Sequence, residues 1–375
     1  MSINLQTWLA EHVPEADEVT VEGLDTVEMG HSAEMFTLTM VTVTDGVEQR
    51  DDIVVRLRPP EPGLLEPYDL QRQFDVMRGL EGTDVRAPRA LWIEPSGHVL
   101  GRPFLVMNRL PGDVYEQNAI PAEIEAEPGR IRRMCEDMID QYAAVHLVDL
   151  EHTGLSALGD GRDFVTRELD HWESEMERVR RGPLPAMERL LAELRRHQPE
   201  ASPRVTLVHG DPKPGNVAFV GDRVSAVFDW ELATVGDPLT DVGYLELMWA
   251  MPAGVTSRPT APTVDEFVAR YQERTGFSCE HREWYFAMQV FKVCAIQLIG
   301  SMLFDAGHTH DPRNVGMAMG IEQMAPMGLT ALGVEQHLDL GAIYPRQERM
   351  AVLENPASCC SNSPARASKS ASWCT

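Results

Sequence analysis

Between Leu207 and Pro238 the chain reads LVHGDPKPGNVAFVGDRVSAVFDWELATVGDP, and this stretch limits the fold more than any other. The apolar runs NVAFV and VSAVFDW flank the turn residues Gly-Asp-Arg, which predicts a β-hairpin. Asp211 and Asn216 precede the hairpin and Asp229 lies at its far end. A hairpin folds its ends together, so Asn216 and Asp229 are expected close in space. Polar groups packed beside apolar strands are costly unless partnered, which favours a reaction centre over a surface turn. Asn216 offers a carbonyl oxygen and Asp229 a carboxylate, hard ligands that suit Mg²⁺. Asp211, across a short loop with two prolines, is placed to take a proton from a substrate hydroxyl. Lys213 is placed to hold a transferring phosphoryl group, with a solvated lysine as its alternative. Taken singly, Asp211 and Asn216 also fit turn formers; their joint spacing with Asp229 argues for chemistry.

The segment His209-Gly210-Asp211-Pro212-Lys213-Pro214-Gly215-Asn216 fits the protein-kinase catalytic-loop pattern H-R-D-x-x-x-x-N, with Gly210 in the Arg place. Asp229-Trp230-Glu231 stands where such kinases carry D-F-G. With the later GDPLTD, these motifs resemble the aminoglycoside phosphotransferase and choline kinase-like family, in particular the branch fused to some acyl-CoA dehydrogenases. VLGRPFLVMNRLPG resembles that family's last N-lobe strand and hinge, and AAVHLVDL the end of its first long C-lobe helix. The resemblance extends over roughly residues 15 to 330.

The resemblance implies an α+β, bilobal protein-kinase-like fold. A small antiparallel β-sheet N-lobe with one helix would occupy residues 1–110 and a larger, mainly helical C-lobe residues 111–350. The Ser-rich segment 351–375, with Cys359, Cys360 and Cys374, reads as a disordered tail. The implied activity is transfer of the γ-phosphoryl group of ATP, with Mg²⁺, to a hydroxyl of a small molecule. Asp211 would be the catalytic base, Asn216 and Asp229 would hold Mg²⁺, and Glu231 would contact metal-bound water or substrate. Asp241 would anchor the catalytic loop through backbone hydrogen bonds, and His209 would order it. Trp230 and Asp237 read as structural.

The amino-terminal part is strand-rich, with three predicted strands, a helix over YDLQRQFDVMRGL, then two more strands. Gly30 and Ser32, in MGHSAEMF, fall where a phosphate-covering loop belongs, although an ordinary hairpin loop fits equally. Arg56, in DIVVRLRP, occupies the place of the ATP-binding lysine of V-A-I-K and suits bidentate phosphate binding. The helix residue expected to pair with it is Glu; here it is Gln73, which can accept a hydrogen bond from Arg56 but cannot neutralise it. Met107, in the hinge-like VMNRLPG, is assigned to the nucleotide. That Arg56/Gln73 departure motivates the alternative of a nucleotide-binding pseudokinase with a regulatory or scaffolding role.

Helical stripes follow LPGDVYEQN, which ends at Asn118, and Trp172, Trp249, Trp284 and Tyr285 are either walls of a substrate pocket or core. Lys plus Arg is 33 and Asp plus Glu 58, a net charge of −25. That field, without a basic stripe, argues against nucleic acid and anionic membranes as partners. The opening residues do not read as a signal peptide. The apolar window Trp284 to Phe304 contains Lys292, which predicts a buried helix over a membrane span. Six cysteines without a CxxC spacing fit a reducing cytoplasm.

Overall fold

The computed structural model describes residues 2–27, 34–115, 120–200, 204–251, 254–309 and 311–334. It opens on a helix that the sequence pattern did not reveal, α1 (Ser2–His12). Three antiparallel strands follow: β1 (Glu18–Val27), β2 (Glu34–Thr44) and β3 (Val47–Leu57). Helix α2 (Leu70–Leu80) then starts at the N-cap Asp69, whose carboxylate accepts the Arg72 N–H at 3.0 Å. Strands β4 (Ala90–Glu94) and β5 (Phe104–Asn108) complete a five-stranded sheet in the order β1-β2-β3-β5-β4. The expected succession of three strands, a helix and two strands is what the chain forms.

Strand alternation divides this sheet into two faces. Ile53, Val55 and Leu57 of β3 join Phe36, Leu38, Phe104 and Val106 in one buried cluster, sealed by Leu5 and Leu9 of α1. Leu5 and Leu9 are four apart, hence on one side of their helix. Arg56 points to the opposite face. Met107 lies on that same face, because it pairs with Val54, two residues before Arg56.

The next elements are β6 (Asp113–Val114), the short α3 (Ala122–Ala126), α4 (Arg130–His146), α5 (Phe164–Val179) and α6 (Pro185–Arg196). Strand β7 (Thr206–Val208) leads to the predicted hairpin, β8 (Val217–Val220) and β9 (Arg223–Val227). Strand β10 (Thr234–Gly236) pairs back onto β7. Four helices close the described chain: α7 (Leu239–Ala250), α8 (Val264–Thr275), α9 (Arg282–Asp305) and α10 (Pro312–Ala331).

The chain divides into two compact units. The first takes in residues up to Thr166 and Pro199–Gln289, and so holds the sheet, α4, the hairpin, α7 and α8. The second takes in Arg167–Gln198 and the residues from Val290, and its described part, up to Val334, is mainly helical. Within the second unit Lys292 is buried, its ammonium 5.5 Å from the centroid of the Trp172 ring. Helix α9 is the one described helix long and apolar enough to cross a membrane, yet 78 % of its apolar window is buried inside the protein. Trp172, Trp284 and Tyr285 are core side chains, and Trp249 stacks on Phe267. Cys135, Cys279 and Cys294 are buried free thiols, each pushed up to about 12 by burial and so held neutral. Cys359, Cys360, Cys374 and the Ser-rich tail lie outside the described residues.

Helix α7 packs against the start of α9 at Gly243. A Cβ there would meet the Tyr285 carbonyl carbon at 2.5 Å and its oxygen at 2.7 Å, both backbone atoms that cannot swing aside. Gly243→Ala is expected to push the helices apart and cost about 1–3 kcal/mol, as overpacking does. Urea titration should show a lower midpoint with an unchanged slope.

Candidate active site

The site is assembled where β7 ends. Asp241, in the first turn of α7, is 1 % exposed and lies beneath the loop that starts at His209. The His209 N–H donates to its Oδ2 at 2.7 Å and the Gly210 N–H to its Oδ1 at 2.9 Å. His146, the last residue of α4, adds a bond from Nε2 to Oδ2 at 3.1 Å, while its Nδ1 bonds the Tyr271 hydroxyl at 2.7 Å. Burial pushes the Asp241 carboxyl up, but the hydrogen bond and charge of His146 outweigh it and hold the group below the usual carboxylate range. The expected anchoring bonds of Asp241 are therefore present.

Gly210 explains the departure from H-R-D. Its φ is +84°, which favours glycine, and a Cβ would lie 2.6 Å from the Leu232 carbonyl oxygen. His209 uses both ring nitrogens: Nε2 donates to the Phe228 carbonyl at 2.7 Å, and Nδ1 accepts the Asp211 N–H at 3.2 Å. That pair fixes one neutral tautomer and orders the loop. Trp230 packs against the His209 ring and donates its indole N–H to the Val227 carbonyl. Asp237 accepts the Leu239 N–H and the Tyr285 hydroxyl, a turn brace at the start of α7.

Beyond this turn, Asp211 Oδ2 accepts the Asn216 amide at 2.9 Å and lies 3.2 Å from the Lys213 ammonium. The Phe228 N–H donates to the Asn216 carbonyl at 2.8 Å, so the hairpin brings Asn216 beside Asp229 as its geometry required. Asp229 has φ 65° and ψ 57°, a left-handed conformation rare for a residue with a Cβ. There its carboxylate meets Arg56, whose guanidinium nitrogen donates to Asp229 Oδ1 at 2.6 Å and to Glu231 Oε2 at 3.0 Å. Arg56 Nε donates to the Tyr68 hydroxyl at 2.8 Å. Burial opposes the charge of Arg56, but Asp229, Tyr68 and Glu231 prevail and raise its pKa.

Six of the expected residues thus gather in two linked clusters: Asp211, Lys213 and Asn216 in one, Arg56, Asp229 and Glu231 in the other. Gln73 does not take the part foreseen for it. It is buried on α2, but the partners of Arg56 are Tyr68, Asp229 and Glu231, and Gln73 Nε2 has no hydrogen-bond partner among the described residues. Arg56 thus spends Nε on a phenol and one terminal nitrogen on two acids, and its remaining terminal nitrogen is not directed at the Gln73 amide. Met107 shares the sheet face of Arg56. Gly30 and Ser32 lie outside the described residues.

Asn216 and Asp229 retain oxygens suited to a divalent cation. The Asn216 amide nitrogen is engaged with Asp211, which leaves Oδ1 as its unbonded atom. Asp229 binds Arg56 through Oδ1 alone and leaves Oδ2. No three His, Cys, Asp or Glu side chains form a metal cluster among the described residues. An amide oxygen and a carboxylate fit Mg²⁺, which takes one or two carboxylates and completes its shell with water and phosphate.

Three participants went unnoticed in the sequence. Tyr68 precedes the α2 N-cap, and nothing local marks its hydroxyl as the acceptor for Arg56. His146 stands in the AAVHLVDL motif, but only tertiary contact joins it to Asp241. Tyr244 is buried on α7, its hydroxyl hydrogen-bonded to Asp211; burial first and then the Asp211 charge raise its pKa. Tyr142, beside the same acids, has a buried hydroxyl with no partner among the described residues.

The model of the phosphotransferase enzyme family matches residues 37–285. The mouse protein Acyl-CoA dehydrogenase family member 10 is 31 % identical over 257 residues, 65 % of this chain and 24 % of that protein. The chain therefore spans about a quarter of that relative's length. A crystal structure of a candidate aminoglycoside phosphotransferase from Ralstonia eutropha superposes with a TM-score of 0.71 at 24 % identity, over 90 % of this chain and 99 % of that one. A thermostable mutant of an aminoglycoside phosphotransferase, solved with ADP and hygromycin B, gives a TM-score of 0.57 at 16 % identity, over 88 % and 98 %. These likenesses establish the α+β protein-kinase-like fold.

Proposed function

The chain belongs to the phosphotransferase enzyme family, and we propose that it transfers the γ-phosphoryl group of ATP, with Mg²⁺, to a hydroxyl of a small molecule. One observation carries the reading: Asp211 is fixed by Asn216 and Lys213 on a loop that Asp241 holds through two backbone amides. A turn former needs no such anchoring. The ADP held by a solved neighbour of the same fold supports the choice of nucleotide, as a fold-level analogy.

In this reading the acceptor hydroxyl lies against Asp211. Its oxygen attacks the γ-phosphorus, its proton passes to the Asp211 carboxylate, and the bond to the bridging oxygen breaks to release ADP. Asn216 and the Tyr244 hydroxyl aim that carboxylate, and Lys213 offers positive charge to the transferring group. Asn216 and Asp229 would hold Mg²⁺, which when bound neutralises phosphate charge. Glu231 is left to contact metal-bound water or substrate. Catalysis would come mainly from positioning and charge, since the transition state needs little covalent help.

ATP consumption by the purified protein across a panel of hydroxyl metabolites, run beside Asp211→Ala, tests this. Turnover that Asp211→Ala abolishes supports it. The second reading, a nucleotide-binding pseudokinase, is favoured by the ion pairs of Arg56 with Asp229 and Glu231, which tie up acids meant for a cation. Binding of ATP without turnover on any acceptor, unchanged in Asp211→Ala, would select it.

A further inference from the structure

Arg56 is the buried cation of the site, and the residue that holds it from behind is not the one the helix was expected to supply. A kinase-like site pairs its strand cation with a carboxylate on the following helix. Here that helix brings Gln73, which makes no bond to Arg56. The Tyr68 hydroxyl takes the guanidinium Nε instead, at 2.8 Å, and the Arg56 carbon lies 5.8 Å from the Tyr68 ring centroid. Tyr68 is itself fixed. It is 6 % exposed, its N–H donates to Glu66 Oε2 at 3.0 Å, and the next residue is the α2 N-cap.

We infer that Tyr68 is a positioning residue for the nucleotide: it orients Arg56 toward phosphate through an uncharged acceptor, in place of a helix carboxylate. This deepens the phosphotransferase reading and rests on it. The electrostatic reason is local. Arg56, Asp229 and Glu231 together already carry one net negative charge. A carboxylate at position 73 would double it, in a pocket that must accept a triphosphate and in a chain of net charge −25. A phenol fixes the guanidinium fork without adding to that repulsion. It bonds Nε, one terminal nitrogen bridges Asp229 and Glu231, and the other terminal nitrogen is left for phosphate.

The test is a double-mutant cycle read by calorimetric titration of Mg²⁺ with AMP-PNP, on wild type, Tyr68→Phe, Arg56→Lys and the double variant. Tyr68→Phe should weaken nucleotide binding about tenfold, the scale of a hydrogen bond to a charged group. In the Arg56→Lys background, where a single ammonium replaces the fork, the same change should cost less than about twofold, because the two residues act as one unit. With an acceptor from the metabolite panel, KM for ATP should rise in Tyr68→Phe while kcat moves by less than about threefold. Melting temperatures exclude unfolding, and Tyr68→Leu, which also lacks an acceptor, replaces Tyr68→Phe should the latter not fold. Equal binding by wild type and Tyr68→Phe overturns the inference, as does an equal loss in both backgrounds, which would mark Tyr68 as packing only. Absence of nucleotide binding in the wild type overturns the phosphotransferase reading itself, and this inference with it.

Discussion

Asp211→Ala is expected to lower turnover by about 10²–10⁴-fold, the usual contribution of a positioned general base. Nucleotide affinity should change little, because Asp211 bonds Asn216, Lys213 and Tyr244, while Arg56 is held by Tyr68, Asp229 and Glu231. The split between the two readouts is what identifies the role. Steady-state rates with a responsive acceptor and calorimetry with Mg²⁺ and AMP-PNP measure both on the same preparation. A variant that loses binding and rate together would place Asp211 in the framework and not at the reacting oxygen. A variant that keeps its rate would remove the proton acceptor from the scheme altogether.

Asp241→Asn is expected to destabilise the protein by about 3–5 kcal/mol, although it changes one atom. All three neighbours of this carboxylate are donors: the His209 and Gly210 amides and His146 Nε2. An asparagine offers one acceptor oxygen and turns an NH₂ toward an N–H that has nowhere else to go. Urea denaturation at neutral pH should show the loss. The pH dependence has a definite sign. The folded-state pKa of Asp241 is lowered, so its contribution is present above the unfolded carboxylate value and is lost as pH falls through the folded one. The gap between wild type and variant should therefore narrow in acid. A constant gap from neutral to acid pH would mean that charge is not what Asp241 contributes.

The strand-helix-strand succession was legible because alternation and turn residues are local signals, and the hairpin was legible for the same reason. From that hairpin the proximity of Asn216 and Asp229 followed without any tertiary information. The bonds of Asp241 to the loop came instead from resemblance, since nothing within GDPLTD points to residues about thirty positions earlier. What stayed hidden is long-range. Kinase-like chains keep the partner of the strand cation on a helix turn, while Tyr68 sits just before the helix begins. His146 and Tyr244 lie on buried helix faces, where a polar residue reads the same whether it braces a core or a site. Helix α1 carries Leu5, Trp8 and Leu9 at helical spacing, but over little more than one turn, too short a run to mark an element by periodicity.

The bonds from Tyr271 through His146 to Asp241 and on to two loop amides carry one more implication. Helices α4, α7 and α8 all end up holding the same short turn, so that turn has no low-energy opening of its own. Its amide protons should exchange with solvent only when the surrounding helices come apart, and the machinery should vanish in the same cooperative step as the tertiary structure. If the proposed activity is lost in a folded form of this protein, the change would then have to arise around Arg56, and not through loosening of the loop from His209 to Asn216.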